Sequence, residues 1–196
     1  MVMKTKAIEI LESEPILLDE AKGIQFLFFP SVNSSKCGIL LTDGLRNFKM
    51  PVPERAQAPN QCELIFVFPD YWPKDFNTSP NENYNWPLPW MKKIATLPQK
   101  NNTWFGEGHS FPAQKLAPIT EQSAFILSRP KKMSLVKDLS ESLEIPLYAI
   151  IPITEKELQY KLKAGAPKFL EKYFNRHDEV VDLQREEVRL KRWGVF

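Results

Sequence analysis

The chain has 196 residues, 43% of them hydrophobic, which suits one globular domain that buries its core without metal or disulfide staples. Its 26 basic and 24 acidic residues leave a formal net charge of +2, which excludes a global field drawing it to nucleic acid or anionic lipid. Two cysteines cannot form a disulfide framework, and no apolar stretch approaches the length of a membrane span.

From the N-terminus, Ala7, Ile8 and Leu11 share a helical stripe that Pro15 ends or redirects. Met1 to Ala7 carries lysines with no apolar signal-peptide region behind them, so a cytoplasmic protein is expected. Ile24 to Pro30 and Cys37 to Thr42 are apolar runs of strand length. The short polar loop between them, Ser31 to Lys36, predicts an antiparallel hairpin. Cys37 and Cys62, each at the start of an apolar run, read as buried thiols. Glu63 to Pro69 is apolar on both faces, the pattern of a central strand covered on both sides.

Between Pro69 and Pro98 the density of Pro and Asn forbids regular structure over most of the segment. Within it Trp86, Trp90, Ile94 and Leu97 fall at helical spacing, with Pro89 near the helix start and Pro98 as its stop. Ser123 to Arg129 and Leu147 to Ile153 are the fourth and fifth strand candidates. Thr154 and Glu157 form a capping box, opening a helix that carries Leu158 and Leu162 four apart. Gly165 closes that helix, Pro167 starts another, and Phe169, Leu170, Tyr173 and Phe174 give the second a broad apolar face. The expected fold is a single α/β domain over residues 1–196, α+β-like, with a central mixed, mostly antiparallel sheet and flanking helices.

A catalytic site needs a nucleophile or a metal with partners. His109 stands in Gly106-Glu107-Gly108-His109-Ser110, but no G-x-S-x-G elbow is present, and Glu107 with His109 is too small a ligand set for zinc. The glycines read as a tight turn with positive φ. His177 and Asp178 follow an amphipathic helix, whose C-terminal dipole favours a histidine. Asp43-Gly44 reads as a strand-ending turn, and Arg185 with Asp182 and Glu186 as an exposed ion-pair cluster contributing about 0–1 kcal/mol. Lys131-Lys132 and Arg189 to Arg192 read as solvated faces. Lys92, Lys93 and Lys100 interleave with Trp90 and Trp104 without forming a basic stripe. The expectation is a chain that is not an enzyme, with no cofactor, no metal site, and neither a nucleic-acid nor a membrane partner.

Tyr71, Trp72, Phe76, Tyr84 and Trp86 are strung along the irregular connection. Long irregular connections are usually functional or disordered, and Trp and Tyr carry much of the energy at protein interfaces. Such rings also fold back onto a domain's own core, and the two readings stand level. Tyr71, Trp72, Phe76 and Tyr84 are the candidate partner-binding residues, while Trp86 and Trp90, nearest the helix, are candidate core.

Several segments, taken in order, resemble the Suppressor-of-fused domain. Leu41-Thr42-Asp43-Gly44-Leu45 looks like its strand-end T-x-G signature and runs on to Met50-Pro51-Val52-Pro53-Glu54. Glu63-Leu64-Ile65-Phe66 resembles its E-L strand, and Trp86-Pro87 with Ile94-Ala95 and Leu97-Pro98 its W-P…L-A-x-x-P segment. Thr103 to His109 is similar to its G-H loop, Pro152 to Leu158 to its P-I-x-x-x-E-L motif, and Asp182 with Arg185 to its closing D-x-x-R. The resemblance implies an α/β fold with a central mixed sheet and no known enzymatic activity. In animals such a domain is part of a larger protein that sequesters a transcription factor. A chain of this length resembles the stand-alone bacterial members, which are associated with polymorphic toxin systems as immunity proteins. It implies a protein partner, a toxin domain, and carries over neither catalytic nor toxin-contact residues. A regulatory module that captures a peptide by strand addition is the alternative.

Overall fold

The structure is a computed structural model and describes residues 2–32 and 37–190. Seven strands form one sheet in the order β1-β2-β3-β4-β7-β6-β5. The strands are β1 (Ile16–Ala21), β2 (Ile24–Val32), β3 (Cys37–Asp43), β4 (Glu63–Pro69), β5 (Ser110–Pro112), β6 (Gln122–Ser128) and β7 (Leu147–Thr154). All neighbours run antiparallel except β4 and β7, which meet in parallel over Glu63↔Leu147, Leu64↔Tyr148 and Ile65↔Ala149. The sheet is therefore mixed and mostly antiparallel, with helices packed on it. The expected hairpin is β2–β3, in register from Gln25↔Asp43 to Val32↔Cys37. Of the loop expected over Ser31 to Lys36, residues 33–36 lie outside the described residues, as do residues 191–192 of the C-terminal basic cluster.

Strand alternation sends apolar side chains to two separate cores. Leu27, Phe29, Ile39, Leu41, Ile65 and Val67 face one side, covered by α1 (Val2–Leu11), α4 (Ser134–Leu143), α5 (Glu155–Ala164) and α6 (Ala166–Phe174). Phe26, Phe28, Leu40, Phe66 and Phe68 face the other, covered by α2 (Pro87–Ala95), α3 (Leu97–Asn101) and the irregular segment before them. The capping box forms as expected: Thr154 Oγ1 accepts from the Glu157 amide (3.3 Å) and Glu157 Oε2 from the Thr154 amide (2.9 Å).

Several expectations need correction. Pro98 does not stop the helix. α2 runs from Pro87 to Ala95, and Pro98 occupies the first turn of α3, where a missing N–H costs nothing. Leu162 is 61% exposed, because α5 turns Leu158 and Tyr160 towards the core instead. β1, β5 and α4 were not expected from the pattern of residues. β1 and β5 are edge strands with little burial, and α4 buries only Val136, Leu139 and Leu143 among polar residues.

After α6 the chain crosses the end of the sheet as an irregular strap. Val180 bridges Val67 of β4, and the Val181 amide donates to the Val67 carbonyl (2.8 Å). Gln122 of β6 donates to the Asp182 carbonyl (2.7 Å), and the Val188 amide to Glu157 (2.8 Å). The strap thus binds strands from both sides of the β4–β7 seam. The buried Glu179 carboxylate accepts from the amides of Lys131, Lys132 (2.9 Å) and Met133 (3.0 Å), the approach to α4.

Candidate functional site

The aromatic connection was the candidate site, and the structure divides it. Trp72 is buried and stacks on Phe68 with centroids 4.7 Å apart. Phe76 is buried edge-on to Phe28 (5.0 Å) and against Phe68 (5.5 Å). Trp86 meets Phe66 at 5.6 Å, and half-buried Tyr84 meets Trp72 edge-on at 5.1 Å. These rings roof a sheet face that α2 and α3 are too short to cover, burying large apolar area in offset and edge-to-face pairs. Trp72 and Phe76 are therefore core residues, and burial withdraws them from contact with a partner. Tyr71 is 60% exposed. It lines a groove of about 370 Å³ with Pro69, His177, Asp178, Val181 and Asp182.

Two buried polar clusters draw together residues from four of the motif segments. In the first, Thr42 is the last residue but one of β3 and Glu63 begins β4, both fully buried. The Thr42 hydroxyl donates to Glu63 Oε2 (2.5 Å) and accepts from the Leu64 amide (2.8 Å). Glu63 Oε1 accepts from the amides of Gly44 (2.9 Å) and Arg46 (3.2 Å). Gly44 sits at φ +119°, where a Cβ would lie 2.3 Å from the Gly23 carbonyl oxygen, so only glycine fits the turn. Burial pushes the Glu63 carboxyl up to about 7, despite the donors from Thr42, Gly44 and Arg46.

In the second cluster, Arg185 of the strap donates two hydrogen bonds to Glu157, from Nη1 to Oε1 (2.7 Å) and from Nη2 to Oε2 (2.6 Å). Nη2 also donates to the Pro152 carbonyl (3.0 Å), and the guanidinium lies 5.0 Å over the Tyr173 ring. The side chains are 3% and 0% exposed, so this is a buried bidentate pair rather than the exposed cluster expected on the tail. Burial pushes the Glu157 carboxyl up, but Arg185 and the amides of Val188 and Thr154 outweigh it and hold the group below the usual carboxylate range.

Both histidines pack against aromatic rings. His109 packs on Trp104 at 4.3 Å, and its amide closes a turn onto the Gly106 carbonyl (3.1 Å). Gly108 takes φ +84° in that turn. His177 lies 5.1 Å from Tyr173, just past α6, and burial followed by Arg185 lowers its pKa. Cys37 and Cys62 are buried thiols. Burial pushes Cys37 up to about 11 and Cys62 higher still. Among the described residues no group of three or more His, Cys, Asp or Glu side chains is placed to hold a metal ion, and no helix is long and apolar enough to cross a membrane.

A profile of the family described as Suppressor of fused protein (SUFU) matches residues 20–186. The chain belongs to the Suppressor of fused family. Solved structures share its fold. A Sufu–Fu complex aligns with TM-score 0.63 and 11% identity, covering 95% of this chain and 91% of that one. A SUFU homologue from Neisseria gonorrhoeae FA 1090 aligns with TM-score 0.61 and 12% identity over 100% of both chains. Drosophila Suppressor of Fused gives 0.52 and 11%, covering 84% of this chain and 42% of that one. A search of curated proteins by sequence finds no match. In this Suppressor of fused domain residues of the T-x-G, E-L and P-I-x-x-x-E-L segments, with Arg185 of D-x-x-R, converge in the two buried clusters. The convergence was invisible in the sequence; its one signal was an acidic residue, Glu63, heading an otherwise apolar strand.

Proposed function

We propose that this chain is a non-enzymatic protein-binding domain acting in the cytoplasm, an immunity protein that holds a cognate toxin domain of a polymorphic toxin system and blocks it stoichiometrically. The observation that carries the reading is where the motif residues point. Thr42, Glu63, Glu157 and Arg185 use their hydrogen-bonding capacity on one another and on backbone inside the fold. The domain then offers shape and surface to a partner rather than an acid, base or nucleophile. A relative of the same fold solved as a Sufu–Fu complex supports a protein partner. The stand-alone bacterial resemblance supports a toxin as that partner.

The test is a pull-down from the native host with this protein as bait, followed by co-expression with the toxin domain encoded beside it. A one-to-one complex and restored growth are expected. Substrate turnover by the purified protein that disappears in His109→Ala while the fold persists would refute the reading. The second reading, a regulatory module capturing an extended peptide by strand addition, is favoured by the open edge of the sheet at β1. Peptide-array binding without protection of toxin-expressing cells would select it.

A further inference from the structure

The two edges of the sheet are not equivalent. β5 is three residues long and contains Pro112, which has no N–H to offer a neighbour. β1 has six residues, pairs with β2 on one side, and among the described residues has no strand on the other. Its last half is guarded: the register shifts between Leu17 and Asp19, and Asp19 takes the Glu20 amide on Oδ1 (2.7 Å) while its other oxygen pairs with Lys92. Its first half is open. Ile16 and Leu17 are 45% and 52% exposed, two of only five large hydrophobics so exposed among the described residues.

Their positions explain what they are for. Ile16 lies beside Phe28, a member of the aromatic core, and Leu17 beside Leu27, a member of the helix-covered core. Each is thus the outermost residue of one of the two apolar layers, on opposite faces of the same edge. A strand added alongside would continue both layers as well as the backbone ladder. The charge around the edge selects the occupant. Residues 12–22 hold Glu12, Glu14, Asp19 and Glu20 against the single cation Lys22, and Glu12, Glu14 and Glu20 are exposed. Two copies pairing antiparallel about Ile16 and Leu17 would set Glu14 against Asp19, like charge opposite like.

We infer that the edge formed by residues 14–18 docks an extended partner segment with an apolar centre and Lys or Arg flanks, rather than a second copy of this chain. The inference rests on the protein-binding reading and names the surface and the chemistry of its partner. The probe is the peptide amide Lys-Val-Thr-Val-Thr-Lys, titrated into the ¹⁵N-labelled full chain, with a Glu-flanked version as control. Saturable amide shifts centred on residues 14–18 are expected. Binding should weaken at least about tenfold, roughly 1.4 kcal/mol, with the Glu-flanked peptide and in Leu17→Lys. Leu17 is exposed, so the variant keeps its melting temperature. Shifts centred elsewhere, equal binding of the Glu-flanked peptide, or a dimer of the free protein lost in Leu17→Lys would overturn it. Toxin capture undiminished by Leu17→Lys would overturn the edge assignment while leaving the protein-binding reading intact.

Discussion

Replacing Arg185 with Met keeps the aliphatic volume over Tyr173 and removes the guanidinium. The Glu157 carboxylate, 0% exposed, then loses two charged donors at 2.6 and 2.7 Å and keeps only the Val188 and Thr154 amides. Removing one partner of a buried pair costs about 3–5 kcal/mol, because the remaining charge stays desolvated. That is a large share of the roughly 5–15 kcal/mol that holds a domain folded. With a urea slope of about 2 kcal/mol per molar for a chain of this size, the unfolding midpoint should fall by on the order of 2 M. Adding Glu157→Gln to the variant removes the stranded charge, so the double variant should recover part of the loss. The pH dependence has a definite sign. Glu157 is depressed in the folded state, so its contribution is present above the unfolded carboxylate range and lost as pH falls through the folded value. In Arg185→Met the carboxyl is no longer held down, and the gap to the parent protein should narrow in acid. A loss below about 1 kcal/mol, the range of exposed pairs, or a double variant as unstable as the sum of the singles, would refute the argument.

Glu63 should behave in the opposite sense. Its folded pKa is raised from 4.5 to about 7 by burial, so the linked stability is complete below the unfolded value and lost as pH rises through about 7. At ~1.36 kcal/mol per pH unit the full loss is about 3 kcal/mol, and Glu63→Gln should flatten urea midpoints measured from pH 5 to 8. Trp72→Ala and Phe76→Ala should each cost about 3–5 kcal/mol by chemical denaturation, while exposed Tyr71→Ala stays within about 0.5 kcal/mol. Gly44→Ala forces a Cβ against the Gly23 carbonyl at positive φ, and its melting temperature should drop by several degrees, about 1–3 kcal/mol.

What could be read from the residues divides along burial. β2, β3, β4, β6 and β7 are dense apolar runs, and the Thr154–Glu157 box and Gly165–Pro167 break mark helix ends by local chemistry alone. β1 escaped because Ile-Leu-Leu-Asp-Glu-Ala does not alternate, and an edge strand has little to bury. α4 escaped because Val136, Leu139 and Leu143 are a sparse stripe among polar neighbours. The strand order was open because the β4–β7 pairing joins residues far apart in the chain. Trp72 and Phe76 were ambiguous for a physical reason: a ring in an irregular segment buries the same area whether it lies on its own sheet or on a partner. Only the shortness of α2 and α3, which leaves the Phe66 and Phe68 face uncovered, decides it.

The strap over β4, β6 and α5 has a consequence for how the molecule comes apart. The antiparallel meander β1–β4 and the trio β5–β7 touch within the sheet at three residue pairs, a seam too short to hold two sheets together alone. Residues 180–188 cross that seam, tied to Val67 on one bank and to Gln122 and Glu157 on the other. Neither bank can open by itself without releasing the strap, so unfolding is coupled across the whole domain. The Val181 and Val188 amides, in a segment without regular structure, should exchange with solvent as slowly as the core strands.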